Sequence, residues 1–128
     1  MRRTTPVCDY MSHLPEEIDR RETLASAIER MESRTLRHLP VMDGPHVFGI
    51  LSRSDLHGAS LRHGKHARAQ SVGDVCTRDP LVVAPFAPIA AVARQMLDRA
   101  VTSALVVDEG VLVGIFTSVD ALRVLATA

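Results

Sequence analysis

The chain is short of the residues that many function classes need. Its 128 residues include no tryptophan, one tyrosine and three phenylalanines. Four rings (Tyr10, Phe48, Phe86 and Phe116) are too few for a base-stacking platform of the kind single-strand nucleic-acid binders use. Formal net charge is zero, with 15 basic and 15 acidic residues, so no broad nucleic-acid or membrane footprint is expected. The two cysteines, Cys8 and Cys76, form no C-x-x-C and fit a free-thiol cytosolic protein better than a disulfide scaffold. No apolar run approaches membrane-spanning length. The opening residues carry arginines but no apolar h-region, so they are not a signal peptide. Cytoplasmic localisation is the expectation. There is no G-x-S-x-G elbow and no phosphate-binding P-loop. His57, His63 and His66 cluster without a recognised ligand spacing. Neither a catalytic nor a metal site is expected, and the chain does not read as an enzyme.

What is present is a repeat. Sliding the chain against itself by 65 positions needs no gap from Val7 onward. Val7, Asp9, Pro15, Ala25, Met31 and Arg34 meet Val72, Asp74, Pro80, Ala90, Met96 and Arg99. Val41, Asp43, Gly49, Ile50 and Asp55 meet Val106, Asp108, Gly114, Ile115 and Asp120. A unit of about 60 residues is marginal alone, so the halves should share a core. The expected division is a disordered lead over 1–6, a first copy over 7–61, a basic linker over 62–70 and a second copy over 71–128.

Within each copy the pattern reads β-α-β-β-α. Glu17-Ile18-Asp19 and Leu81-Val82-Val83-Ala84 are strand signals, the second clearer. Leu24, Ala27, Ile28 and Met31 make one helical face, as do Ile89, Val92, Ala93, Met96 and Ala100, with Pro88 suited to a first helical position. Two apolar strands follow in each copy, joined by Asp43-Gly44-Pro45 or Asp108-Glu109-Gly110, which read as tight hairpins. Both alternations of these strands are apolar, so both faces should be covered. Helices over roughly 54–61 and 119–126 close the copies. The second ends near the last residue, and no attached catalytic or DNA-binding domain is expected.

The corners before these last helices carry the chemistry. Gly49-Ile50-Leu51-Ser52-Arg53-Ser54-Asp55 repeats as Gly114-Ile115-Phe116-Thr117-Ser118-Val119-Asp120. Ser52-x-x-Asp55 and Thr117-x-x-Asp120 have capping-box spacing, and helix capping alone would account for them. A strand end running into a helix N-terminus also offers free N–H groups and a positive dipole end to an anion. A carboxylate there suits the two hydroxyls of a ribose.

Two β-α-β-β-α units, each ending in Gly-apolar-apolar-(Ser/Thr)-x-x-Asp, resemble a tandem pair of CBS domains, a Bateman module, over nearly the whole chain. The resemblance implies an α+β (α/β-like) fold in which the repeats pack with pseudo-two-fold symmetry and leave two clefts between them. It implies that Asp55 and Asp120 take ribose hydroxyls and that Ser52 and Thr117 contact ribose or phosphate. Adenine would lie among Ile18, His38, Leu39 and Pro40 in one copy, and Val83, Ser103, Ala104 and Leu105 in the other. The polar first strand of copy one, Glu16 to Arg21, makes a poor wall for adenine and its acids would repel phosphate. Arg20, Arg21, Arg37 and Arg53 could offset them. Copy two has the better apolar wall and Arg123 nearby, which favours Thr117 and Asp120.

The resemblance therefore implies a cytoplasmic, homodimeric regulator. It would bind AMP, ADP, ATP or a related adenosyl compound such as S-adenosylmethionine, and transmit this to an unnamed protein target. It would hold no permanent cofactor. The alternative is a ligand-free dimerisation or interaction module in which the corners are only helix caps.

Overall fold

The computed structural model describes residues 4–13 and 15–127. Along the chain a short 3-10 helix (Val7–Asp9) precedes strand β1 (Ser12–His13) and strand β2 (Ile18–Asp19). Helix α1 (Leu24–Arg34) leads to β3 (His38–Asp43), β4 (His46–Ser52) and α2 (Arg53–His63). A second 3-10 helix (Gly64–Ala69) connects to α3 (Val72–Val75) and β5 (Thr77–Arg78). The chain continues through β6 (Val82–Val83), α4 (Ile89–Arg99), β7 (Ser103–Asp108), β8 (Val111–Thr117) and α5 (Ser118–Thr127). Helix and strand alternate as expected. Both hairpins have two-residue loops, pairing Asp43 with His46 and Asp108 with Val111. Glu109 and Gly110 both take positive φ, the mirror-image turn that matches strand twist. Gly44 has φ +60°, but the ring of Pro45 forbids a positive φ next to it, so the first hairpin uses the glycine-first turn instead.

The chain forms two compact units, Glu16–Pro80 and Met1–Pro15 with Leu81–Ala128. Each holds a four-stranded sheet, in the orders β2-β3-β4-β5 and β1-β8-β7-β6. The opening segment of each sequence copy is thus built into the unit formed by the rest of the other copy. Ser12 pairs with Ile115 and, in the same register, Thr77 pairs with Ile50. The expected lead is anchored at its inner end, where the Ile89 N–H donates to the Thr5 carbonyl at 2.9 Å and Pro6 bridges Pro88. Residues 1–3 lie outside the described residues. The segment expected as a basic linker is the second 3-10 helix, and its Ala67 is buried in the core of the 16–80 unit.

Each unit has its own core. In the 16–80 unit Ile18, Leu24, Ala27, Met31, Leu39, Val41 and Leu51 pack together. In the other, Val83, Ile89, Val92, Met96, Ala104, Val106 and Phe116 occupy the matching positions. Helix α1 is capped by Thr23, whose hydroxyl accepts the Ser26 N–H at 3.2 Å, whereas Pro88 sits at the N-cap of α4, one position earlier than expected. One backbone bond distinguishes the sheets. Leu105 donates its amide to the Leu81 carbonyl at 2.8 Å, but the equivalent residue of the first copy is Pro40, which has no amide to donate.

Gly49 and Gly114 sit where the exchanged strand crosses. A Cβ at Gly49 would stand 2.5 Å from the Thr77 backbone oxygen and 3.0 Å from Cys76 Sγ, whereas at Gly114 it would meet the flexible end of the Met11 side chain. Backbone in a sheet cannot withdraw as a thioether can. Gly49→Ala is therefore expected to cost about 1–3 kcal/mol of stability, and Gly114→Ala less. Urea denaturation of the two variants measures the difference, and equal costs would contradict this reading.

Candidate functional site

In the 16–80 unit β4 ends at Ser52 and α2 begins at Arg53, so the chain turns from strand to helix with its first-turn amides in need of acceptors. Ser52 Oγ accepts the Asp55 N–H at 3.2 Å, and the Ser52 N–H donates to Asp55 Oδ2 at 2.9 Å. The Ser52 hydroxyl donates to the same Oδ2 at 3.1 Å. The other oxygen, Oδ1, accepts from the Thr77 hydroxyl at 2.9 Å. A carboxylate oxygen has two lone pairs, so Oδ2 is saturated and Oδ1 keeps one acceptor position.

The second corner repeats the cap with a different outer partner. The Thr117 N–H donates to Asp120 Oδ2 at 2.9 Å, its hydroxyl donates to the same oxygen at 3.3 Å, and Thr117 Oγ1 accepts the Asp120 N–H at 3.4 Å. Here Arg123 Nη1 reaches Asp120 Oδ1 at 3.2 Å. Asp120 is 3% exposed, while Asp55 is only half-buried. The position of Arg123 is Gly58 in the first copy, which explains why Asp55 has no guanidinium from its own helix. Thr77 was not among the expected site residues. A signal for it existed, because the register matches it with Ser12, a hydroxyl kept in both copies.

Strand alternation sorts the residues expected around an adenine. His38 pairs with Ser52 and Pro40 with Ile50, and both strand positions lie off the packed core. Ile18 and Leu39 belong to the core of their unit, as Val83 and Ala104 do to theirs. Ser103, paired with Thr117, and Leu105 are buried but lie outside that core. Each corner thus brings together the first residue of β3 or β7, the capping hydroxyl and the capping acid.

The arginines divide between the two ends of the first sheet. Arg37 and Arg53 flank the corner, the Arg53 N–H donating to the Arg37 carbonyl at 3.3 Å. Arg20 and Arg21 do not join them. The Arg20 N–H donates to Met42 and Arg21 Nη2 to Asp43 Oδ1 at 3.1 Å, which puts both at the hairpin end. Five strand steps, roughly 16 Å, separate that end from the corner. Of the acids in that stretch Glu16 pairs with Arg34 and Asp19 with Arg21, and just beyond it Glu22 pairs with Arg30.

Two groups near the first corner have shifted proton affinities. Burial first, and the Arg37 cation second, hold the His38 imidazole below its ordinary value against an opposite pull from Asp55. Burial and the Asp55 charge push the Cys76 thiol up to about 11, which keeps it protonated and unreactive near neutrality.

The CBS domain profile matches residues 7–62 and again residues 72–127. The chain belongs to the CBS domain family. Solved structures, a CBS pair among them, share its fold. A protein from Vibrio cholerae named for acetoin utilization (AcuB) is 31% identical, with a TM-score of 0.83 over 95% of this chain and 90% of that one. The CBS pair of protein MJ0100, solved with 5′-methylthioadenosine and S-adenosyl-L-methionine, is 25% identical with a TM-score of 0.87, covering 97% and 98% of the two chains. CBSX2, solved in complex with AMP, is 26% identical with a TM-score of 0.82, covering 95% and 96%. A search of curated proteins finds no match. Each of the two matches in this CBS pair includes a strand-to-helix corner, Ser52–Asp55 in the first and Thr117–Asp120 in the second.

The His38 shift sets a pH dependence. A histidine whose folded-state affinity for protons is lowered contributes stability that is complete above its unfolded value, about 6.5, and is lost as pH falls through the folded value. Thermal unfolding of the CBS pair at a series of pH values below 7 is expected to show a steeper fall for the native chain than for His38→Gln. Parallel curves would show that His38 plays no part.

Proposed function

We propose that this CBS pair is a regulatory module that binds an adenosyl ligand, an adenine nucleotide or a sulfur-linked adenosine, at its strand-to-helix corners. The observation that carries the proposal is the spare acceptor on the outer carboxylate oxygen of Asp55 and of Asp120. The inner oxygen anchors each carboxylate to its N-cap, so the outer one is held still and aimed. One hydroxyl of a ribose can donate to that remaining position, and the Ser52 or Thr117 hydroxyl stands beside it for the second. His38 or Ser103 begins the neighbouring strand and serves the base edge. Ile18, Leu39, Val83 and Ala104 shape the site from the core, with Pro40 and Leu105 on the opposite alternation.

The AMP, methylthioadenosine and S-adenosylmethionine complexes of related CBS pairs support this ligand class. A bound ligand would change the docking of a protein target, with the chain acting as a homodimer and without catalysis. The two free cysteines fit the reducing cytoplasm.

Titration calorimetry with AMP, methylthioadenosine and S-adenosylmethionine tests the proposal. Asp55→Asn and Asp120→Asn each keep one oxygen for the N-cap amide but lose the charged outer acceptor. The variant at an occupied corner is expected to bind at least about tenfold more weakly, the loss of one charge-assisted hydrogen bond. Native-like affinity in both variants, or no binding of any adenosyl compound, would overturn it.

A ligand-free interaction module is the second reading. Val119, Leu122 and Leu125 of α5 are 40%, 64% and 68% exposed, an apolar set unusual for an isolated surface helix. Leu122→Glu with Leu125→Glu is expected to halve the sedimenting mass if this face joins two copies. An unchanged mass would remove that reading.

A further inference from the structure

The hairpin end of the 16–80 unit holds a second feature that the corners do not use. A cavity of about 330 Å³ opens there, lined by Arg20, Arg21, Phe48, Ser71, Asp74 and Arg78. Three arginines line it with one carboxylate, Asp74, while Asp43 and Asp19 pair with Arg20 and Arg21. The Arg20 guanidinium lies 4.8 Å from the centroid of the Phe48 ring and that of Arg78 lies 3.9 Å from the same centroid. Their cationic carbons are therefore within about 9 Å of each other, comparable to one screening length at ordinary salt.

Neither guanidinium is saturated. Among the described residues the Arg78 guanidinium makes no hydrogen bond or ion pair, and its partner is the ring. Arg20 Nε is buried and without a hydrogen-bond partner, since Asp43 Oδ1 stands 3.6 Å away, beyond bonding distance. Arg20 is ion-paired with Asp43 at that distance and Arg21 with Asp19 and Asp43, so Arg78 is the guanidinium left to the ring alone. Contact with the ring restrains both guanidinium groups, so their N–H donors lose less freedom on meeting an acceptor than those of a free arginine. Clustered like charges with unfilled donors are relieved by an anion. The fork geometry fits the oxygens of a phosphate group. Gly73 leaves the space open, for a Cβ there would come within 3.2 Å of Arg20 Cβ and 3.6 Å of the Phe48 ring.

We propose that this pocket is a binding site for a small phosphate-bearing anion, held by Arg20 and Arg78 across Phe48 at the end of the sheet remote from the Ser52–Asp55 corner. The shared chemistry is the phosphate group, whether free or carried as a monoester. The ring floor and the cavity volume leave room for a small organic substituent.

The test uses the full chain and two probes, orthophosphate and phenyl phosphate, titrated at constant ionic strength and followed by 31P NMR line broadening. Saturable binding of either probe is expected, weakened at least tenfold in Arg78→Gln and in Arg20→Gln but unchanged in Arg94→Gln, an exposed arginine elsewhere. Tighter binding of phenyl phosphate would identify a monoester site, and equal binding a phosphate site. Arg78→Lys, which keeps the charge but loses the fork, guards against a folding defect and is also expected to weaken binding. Asp55→Asn with Asp120→Asn is expected to leave phosphate binding intact, which separates this pocket from the adenosyl corners. The proposal fails if neither probe saturates, if Arg78→Gln and Arg20→Gln bind as the native chain does, or if the double aspartate variant abolishes binding.

Discussion

One carboxylate oxygen at each corner organises the unit around it. Asp55 Oδ2 and Asp120 Oδ2 each take the N-cap amide and the N-cap hydroxyl together. That double acceptance holds the N-cap hydroxyl in place to take the amide of the third helical residue in return, so the strand passes into the helix within one residue with both amides met. It also fixes where the remaining oxygen points. The last strand, the final helix and the outer oxygen are thus set by a single contact, so capping and recognition draw on the same atoms. In that sense the fold and the site are one construction.

The two units share this frame and differ in what surrounds it. The outer oxygen of Asp55 meets a neutral hydroxyl from Thr77, contributed by an exchanged strand, while that of Asp120 meets a mobile-stemmed cation from its own helix. His38 stands where the other unit has Ser103. A half-buried carboxylate with a neutral outer partner beside a shifted imidazole, and a buried, cation-paired carboxylate beside a serine, are different electrostatic environments. Duplication preserved the geometry and let the charges diverge.

Much of this was legible in the sequence because it is local. Gly-apolar-apolar-(Ser/Thr)-x-x-Asp spells a strand end and a cap within seven residues, and its recurrence at one spacing disclosed the duplicated unit. Helix faces such as Leu24, Ala27 and Met31 carry their own period and reappear as the buried stripe. The exchange of opening segments was not legible. β1 and β5 are two residues each, too short to show a period, and their partners lie far along the chain. Arg20 and Arg21 were expected, with Arg37 and Arg53, to offset the acids of the polar first strand beside the ligand. β2 runs parallel to β3, however, and its end delivers them to the hairpin instead. The pairing of Arg20 and Arg78 on Phe48 joins three segments and has no linear signature at all.

The exchange has a consequence for how the chain comes into being. One unit, Glu16–Pro80, is a single stretch, whereas the other is assembled from the first residues and the last third of the chain. During synthesis from the N-terminus, the contiguous unit has all its strands in hand as soon as β5 has emerged. The opening segment waits, unpaired, until β8 arrives about a hundred residues later. Val7 and Met11, apolar residues destined for a core, spend that interval without one. The two halves of a nearly symmetric sequence therefore have unequal histories, one closing early on neighbours and the other closing last on a distant end.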